Sequence, residues 1–375
     1  MSKTKKRSKR HLSPYLISAP GPDAIHHVSE VQRSELYFLA YDAEKFVDGT
    51  IEDLSRVREE LGKWPVLWLN VEGLGSTEMI EEIGRIFEVH PLALEDVVHT
   101  HQRAKFEQYD DHTFFVAHMI EGKDHVHTEQ VCLYVGANFV VTFQEGPIDA
   151  TKPVVERLKR GLSTLRKQGP DYLSYAIIDS IIDAYYPVLE TFGEKLERIE
   201  DLILRVPSKR LVSRVHRSKR ELLALRRALF PLREALASIM RTAPPGFTEN
   251  TLIHLRDCYD HVVQITDLIE TYRELCSDLM DVYLSTISYR LNEVMKVLTI
   301  ITSICAPPSL IAAIYGMNFD TKASNFNMPE LTWKYGYPFA IAMMVVASTT
   351  LLIIVFRSEQ LSGSIVGSDK VGEAD

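Results

Sequence analysis

The period of the apolar residues divides the chain into three parts. Between about residues 35 and 145 they gather in short β-rich runs: Leu36–Tyr41, Val66–Val71, Thr113–Ile120, Val131–Val135 and Asn138–Phe143. Branched and aromatic side chains dominate these runs, as a pleated, buried surface requires. Gly136-Ala137 between the last two reads as a hairpin turn. Helical spacing intervenes, as in Thr77 to Phe87, so this part predicts an α/β layer domain. From about Asp171 the strand pattern stops. Asp171–Val206 predicts one helix, bent at Pro187 and Gly193 and closed by Pro207, and Ser208–Arg241 predicts a second. The downstream half of the first is acidic, with Glu190, Glu194, Glu197, Glu200 and Asp201. The second is basic, with Lys209, Arg210, Arg214, Arg217, Lys219, Arg220, Arg226 and Arg227. Such a pair either faces its opposite charges across a hairpin or presents two solvated faces.

Pro244-Pro245-Gly246 breaks the chain again. Phe247 to Ala306 then contains no Gly or Pro, which predicts a helix of roughly 90 Å at about 1.5 Å per residue. Its apolar residues recur at helical spacing: Leu255, Tyr259, Val262, Ile269, Cys276, Met280, Tyr283, Ile287, Leu291, Val294 and Leu298. A second stripe is acidic: Asp257, Asp260, Asp267, Glu270, Glu274, Asp278 and Asp281. A helix this long cannot bury its stripe alone, which predicts packing against other subunits about a symmetry axis. Val297–Tyr315 and Tyr337–Phe356 carry no charge, and each is long enough to cross a bilayer. Gly316-Met317-Asn318 lies where the first span meets water, the place for a channel mouth. The domain layout predicted is a disordered basic tail (1–30), a cytosolic domain (31–170), a helical hairpin and stalk (171–295), a two-span pore domain (296–357) with an external loop (318–336), and a cytosolic tail (358–375).

Composition narrows the functions. The chain has 375 residues, of which 25% are charged, and a mean hydropathy near zero. That fits a largely water-soluble protein with a small membrane part. The net charge of −9 argues against nucleic acid as the main partner, and the basic helix lacks interleaved stacking aromatics. The four cysteines have no pairing or zinc spacing, consistent with reduced thiols. The basic N-terminus is followed by no apolar core, so it reads as a tail rather than a signal peptide. No phosphate loop or nucleophile elbow is present, so the chain is not expected to be an enzyme.

The tripeptide has a chemistry of its own. A small, hard cation such as Mg2+ sheds its water shell reluctantly, so a pore selective for such an ion should hold it hydrated, with neutral oxygen acceptors. A ring of Asn318 carboxamides supplies them. Gly316 permits close backbone approach. Met317 is a packing residue rather than a ligand, since its thioether is soft and Mg2+ is hard. The competing reading is an ordinary helix C-cap with Gly316 in the left-handed region. Upstream, helical spacing places Asn292, Met295, Leu298, Ala306, Ser309 and Ala313 near one face, with Pro307-Pro308 blurring the phase. Ser309 either faces a passing ion or bonds back to its own helix.

Several segments resemble the CorA family of magnesium and cobalt channels. They are Asn292-Glu293-Val294-Met295-Lys296-Val297-Leu298-Thr299, Ile311 through Phe319, Met328-Pro329-Glu330-Leu331 and Trp333-Lys334-Tyr335-Gly336-Tyr337-Pro338. His90-Pro91-Leu92-Ala93-Leu94-Glu95-Asp96 and Leu255-Arg256-Asp257-Cys258-Tyr259-Asp260-His261 extend the resemblance upstream. It implies an α+β membrane protein with an N-terminal α/β/α cytosolic domain. A long stalk helix continues into the first of two transmembrane helices, in a funnel-shaped homopentamer. It implies an inner-membrane location with both termini cytosolic, and influx of Mg2+ and Co2+, with Ni2+ following. Gly316, Met317 and Asn318 would be the selectivity filter, and the face from Asn292 to Ala313 the pore lining. Ala306 and the paired prolines depart from the family pattern. Asp281 and Glu330 would draw cations to the two pore entrances. The resemblance further implies regulatory Mg2+ at subunit interfaces, between Asp96 and Asp257, with a second ion near Glu95, Asp179 and His261. Asp183 is nearly as well placed as Asp179. The alternatives are a zinc-transporting relative, against which Met317 argues, and a membrane-anchored metal-sensing scaffold. Ion flux separates conduction from sensing.

Overall fold

The computed structural model describes residues 34–122, 126–146, 148, 150–161, 164–318 and 327–368, with side chains to Arg357 apart from Thr332. The predicted tail at 1–30 and residues 319–326 of the predicted external loop lie outside them. The chain to Leu202 together with Ser208–Met280 makes one compact unit, and Ile203–Pro207 with Asp281 onward makes a second.

In the first unit, seven strands form one sheet in the order β2-β1-β3-β7-β6-β5-β4. They are β1 (Glu35–Tyr41), β2 (Phe46–Ile51), β3 (Val66–Glu72), β4 (Lys105–Tyr109), β5 (His112–Glu121), β6 (His127–Val135) and β7 (Phe139–Gln144). Neighbours are antiparallel except β3 and β7. The hairpin after Val135 forms as predicted, with the Gly136 N–H donating to the Phe139 carbonyl. Period-two alternation sends Phe38, Leu69, Val116 and Phe143 to one face. There they meet Val57, Ile83 and Val97 of α1 (Ser55–Glu60), α2 (Thr77–Ile86) and α3 (Pro91–Val98). The other face carries Trp68, whose Nε1–H donates to Thr142 Oγ1. It packs under α5 (Pro170–Asp183), which in turn holds α4 (Lys152–Arg160). Helices thus cover both faces of the sheet, as the sequence led one to expect.

The helix predicted over Asp171–Val206 is broken. It forms α5 and then α6 (Tyr185–Arg205), separated at Ala184. Pro187 explains the position. Its ring clashes with the carbonyl four residues back, and that residue, Asp183, is the last of α5. Helix α6 runs on to Arg205 without interruption at Gly193. A β-carbon there would lie 2.7 Å from the Tyr272 hydroxyl, so the glycine allows close helix approach. The second predicted helix is α7 (Lys209–Thr242), which continues through Pro231.

The predicted charge match between α6 and α7 does not form. The ion pair between them runs the other way, Lys195 to Glu221 at 3.0 Å. Arg226 of α7 instead reaches Glu270 of the next helix at 2.7 Å, and Glu194 pairs within its own helix with Arg198. The acidic residues of α6 are exposed, so the bland reading of two solvated faces is correct.

The long helix α8 runs without interruption from Glu249 to Tyr315, through Pro307 and Pro308. Its stripe behaves differently in its two parts. Leu255, Cys258, Val262, Ile265, Ile269, Cys276 and Leu279 are buried within the chain's own first unit. The expectation that the stripe needs other subunits therefore fails for the upper stalk. Beyond Met280 the apolar side chains stand open, among them Leu284, Leu291 and Val294. The last helix, α9 (Gly336–Ser368), outruns the predicted span and continues into the predicted tail.

Candidate functional site

Two sets of residues carry chemistry, one in each unit. In the second unit, α8 ends by tightening. The Gly316 N–H bonds to the Ala312 carbonyl four residues back, and the Met317 N–H bonds to Ile314 three back. Asn318 follows, exposed and outside the last helical turn. Gly316 has no positive φ, so the left-handed C-cap reading is set aside. A residue past the final hydrogen bond is free to turn its carboxamide toward an axis.

At about 100° per residue, the six candidate lining positions span one side of α8, and the unbroken helix keeps their phase across the two prolines. Asn292, Met295, Leu298, Ala306, Ser309 and Ala313 are all exposed. The opposite side meets α9, where the Ser348 hydroxyl donates to the Ile304 carbonyl at 3.1 Å. Thr302 lies at the centre of the open side, one turn past Leu298, and the sequence reading missed it. The Thr302 and Ser309 hydroxyls donate to the carbonyls of Leu298 and Cys305, the back-bonded geometry. Their oxygens remain free to accept. Ala312, Tyr315, Gly316, Glu330 and Tyr337 border a cavity of about 540 Å³, which brings Glu330 beside the end of α8. A β-carbon on Gly336 would lie 2.0 Å from the Glu330 carbonyl, so that approach depends on glycine. Asp281 is exposed on α8, well before the uncharged run.

In the first unit, α5 and α8 are pinned together at matched positions. Near their starts, Asp171 accepts hydrogen bonds from the Thr248 N–H, the Thr248 hydroxyl and the Thr251 hydroxyl, at 3.0, 2.9 and 2.7 Å. Two turns on, the Cys258 thiol donates to Asp179 Oδ1 at 3.7 Å. Beyond that, ligand atoms of Asp179, Asp183 and His261 all lie within 4.8 Å of one another. Asp179 and Asp183 share one face of α5 at i,i+4. Asp183 ends the helix, where the macrodipole disfavours a carboxylate. Burial, and then the Asp183 charge, push the Asp179 carboxyl above the usual carboxylate range. His261 Nδ1 is buried with no hydrogen-bond partner, and its Nε2 is 3.9 Å from Asp257. Two repelling carboxylates and an imidazole relieve one another by sharing a cation. The set fits a divalent ion, and the imidazole suits Co2+ better than Mg2+. His254, by contrast, stacks on Tyr175.

Glu95 and Asp96 sit on α3 and are not part of this group. Asp96 is already engaged by the Lys105 ammonium at 2.7 Å, which also holds Glu107 at 2.9 Å. Asp257 is exposed. The sequence reading named Asp179 and His261 and ranked Asp183 as an alternative, whereas the fold brings both carboxylates within reach of the imidazole.

Comparison with known proteins adds four findings. Residues 65–358 match the family described as CorA-like Mg2+ transporter protein. The chain is 39% identical over 329 residues to the cobalt/magnesium transport protein CorA of Thermotoga maritima, covering 87% of this chain and 92% of the relative. It is 35% identical over 289 residues to the putative metal ion transporter YfjQ of Bacillus subtilis, covering 77% and 88%. Its fold is similar to that of the complete CorA magnesium transporter from Methanocaldococcus jannaschii. That match has a TM-score of 0.71 and 21% identity, over 85% of this chain and 96% of the other.

Proposed function

The chain belongs to the CorA-like Mg2+ transporter family, and from that premise we propose a symmetric pentamer in which α8 of each subunit lines one pore. It is a membrane transport protein for Mg2+ and Co2+ and not an enzyme. The observation that carries the pore reading is the open side of α8 from Asn292 to Ala313. α9 meets the other side, and Asn318 follows the last backbone bond of the helix, exposed. Five such sides would enclose a path lined by carboxamide, hydroxyl and small apolar groups. The Asn318 ring would hold hydrated Mg2+ through its water shell, and Met295 and Leu298 would exclude water when closed. Reconstituted protein should admit Mg2+ and Co2+ to liposomes along their gradients. Failure to conduct either ion would leave the zinc-transporting relative, which Zn2+ flux tests, and the metal-sensing scaffold.

The regulatory proposal has two parts. Between subunits, a cation joining Asp96 to a neighbour's Asp257 must share Asp96 with Lys105. That competition supports a weak site, responsive near millimolar Mg2+. Within a subunit, Asp179, Asp183 and His261 form a second site. Replacing His261 with alanine should lower Co2+ affinity by about tenfold or more while Mg2+ binding changes less. Equal losses for both ions in equilibrium binding would remove His261 from the ligand set.

The proposed orientation places both termini in the cytosol. A thiol label at Ser324, outside the described residues, should then be reachable in intact cells, and one at Ser358 only after permeabilisation. The reverse pattern would invert the topology.

A further inference from the structure

The turn between α6 and α7 carries charge that neither transport nor metal sensing uses. Ile203–Pro207 belong to the same compact unit as the membrane-entering part of α8. The Arg290 guanidinium, a short way ahead of the uncharged run, donates to the Arg205 carbonyl. Beside that bond, Leu204 and Val206 are 55% and 65% exposed, a poor state for large apolar side chains in water. From Leu202 to Arg220 the sequence has seven Lys and Arg and no Asp or Glu. Arg205, Lys209, Arg210 and Arg214 are exposed, and no carboxylate pairs with them among the described residues. On α8, Glu293 is the sole acidic residue between Val282 and Tyr315. The linear sequence gives a thin positive-inside signal there, from Arg290, Lys296 and Arg357. Arg205, in the same unit as Arg290 and bonded to it, adds to that signal.

We propose that this turn docks on anionic lipid of the cytosolic leaflet. Leu204 and Val206 enter the headgroup zone, while Arg205, Lys209 and Arg210 pair with lipid phosphates. The proposal rests on reading α8 and α9 as membrane spans. Apolar side chains flanked by unpaired cations suit a charged interface. A protein partner of matching charge would more naturally leave the apolar pair covered by its own chain.

Hydrogen exchange on the full chain in lipid nanodiscs tests this. With about 30% phosphatidylglycerol, the amides from Val206 to Leu211 should exchange at least about fivefold more slowly than in pure phosphatidylcholine, the effect of roughly one Lys or Arg at an anionic surface. High salt should erase the difference. So should Lys209→Gln with Arg210→Gln, both exposed and unpaired and so unneeded for folding. Equal exchange in the two lipids would overturn the proposal. So would protection lost on Asp260→Asn with Asp267→Asn, which would assign the turn to a second copy's acidic stripe. Mg2+ flux measured in parallel separates the failures: lipid-independent exchange with normal flux defeats the docking alone, and absent flux defeats the transport reading.

Discussion

Mg2+ flux into proteoliposomes should fall at least about a hundredfold when Asn318 is replaced by alanine, with the yield of assembled protein unchanged. Each carboxamide-to-water hydrogen bond contributes about 1 kcal/mol net. Losing three or more at once around one ion corresponds to over about a hundredfold in rate. Folding should not suffer, because Asn318 is exposed and follows the last backbone bond of α8. Asn318→Gln keeps the carboxamide but moves it outward, so it should conduct at an intermediate rate. Wild-type flux in the alanine variant would refute the filter assignment, and aggregation of that variant would show that Asn318 is structural.

The second large effect is on stability. Asp171→Ala should destabilise the first compact unit by about 3 kcal/mol or more. It removes the single carboxylate oxygen that takes three hydrogen bonds from Thr248 and Thr251. Asp171 is 5% exposed, so the orphaned donors are poorly placed to find water. It also sits in the first turn of α5, where a negative charge is favoured. In a domain of this size the melting temperature should fall by roughly 6–12 °C. Asp171→Asn keeps an acceptor and should lose less. The loss should reach the proposed metal site, because the same two helices carry Asp179, Asp183 and His261. Weaker Co2+ binding in Asp171→Asn, at temperatures where it is folded, would report the loosened register. A change in melting temperature under about 2 °C for the alanine variant would mean that packing alone aligns the helices.

What the sequence revealed follows from burial. The five strands foreseen are those with apolar faces on both sides of the sheet, such as Phe114-Phe115-Val116 of β5. β2 and β4 were missed because they are the sheet edges. Phe46-Val47-Asp48-Gly49-Thr50-Ile51 and Lys105-Phe106-Glu107-Gln108-Tyr109 mix in polar side chains, as edges do. Missing β4 also hid Lys105, and with it the ion pair that engages Asp96. The spans were legible because lipid demands an unbroken apolar run. The charge pattern of α6 and α7 misled, since helix rotation is set by apolar residues such as Leu196 and Leu222, not by surface charge. Asp179 and His261 are far apart in the chain, so only the parallel packing of α5 on α8 reveals how they meet Asp183.

The bond between Ser348 and the Ile304 carbonyl has a mechanical consequence. Pro308 has no N–H to give to Ile304, four residues back, so α8 is missing a rung at that level. The Ser348 hydroxyl supplies a substitute from α9. A helix with a missing rung is a soft hinge, and here the spring across the hinge belongs to the neighbouring helix. Flexing the last three turns of α8 therefore stretches a side-chain bond to α9, so the stiffness of that end of α8 is adjustable by residues on its neighbour.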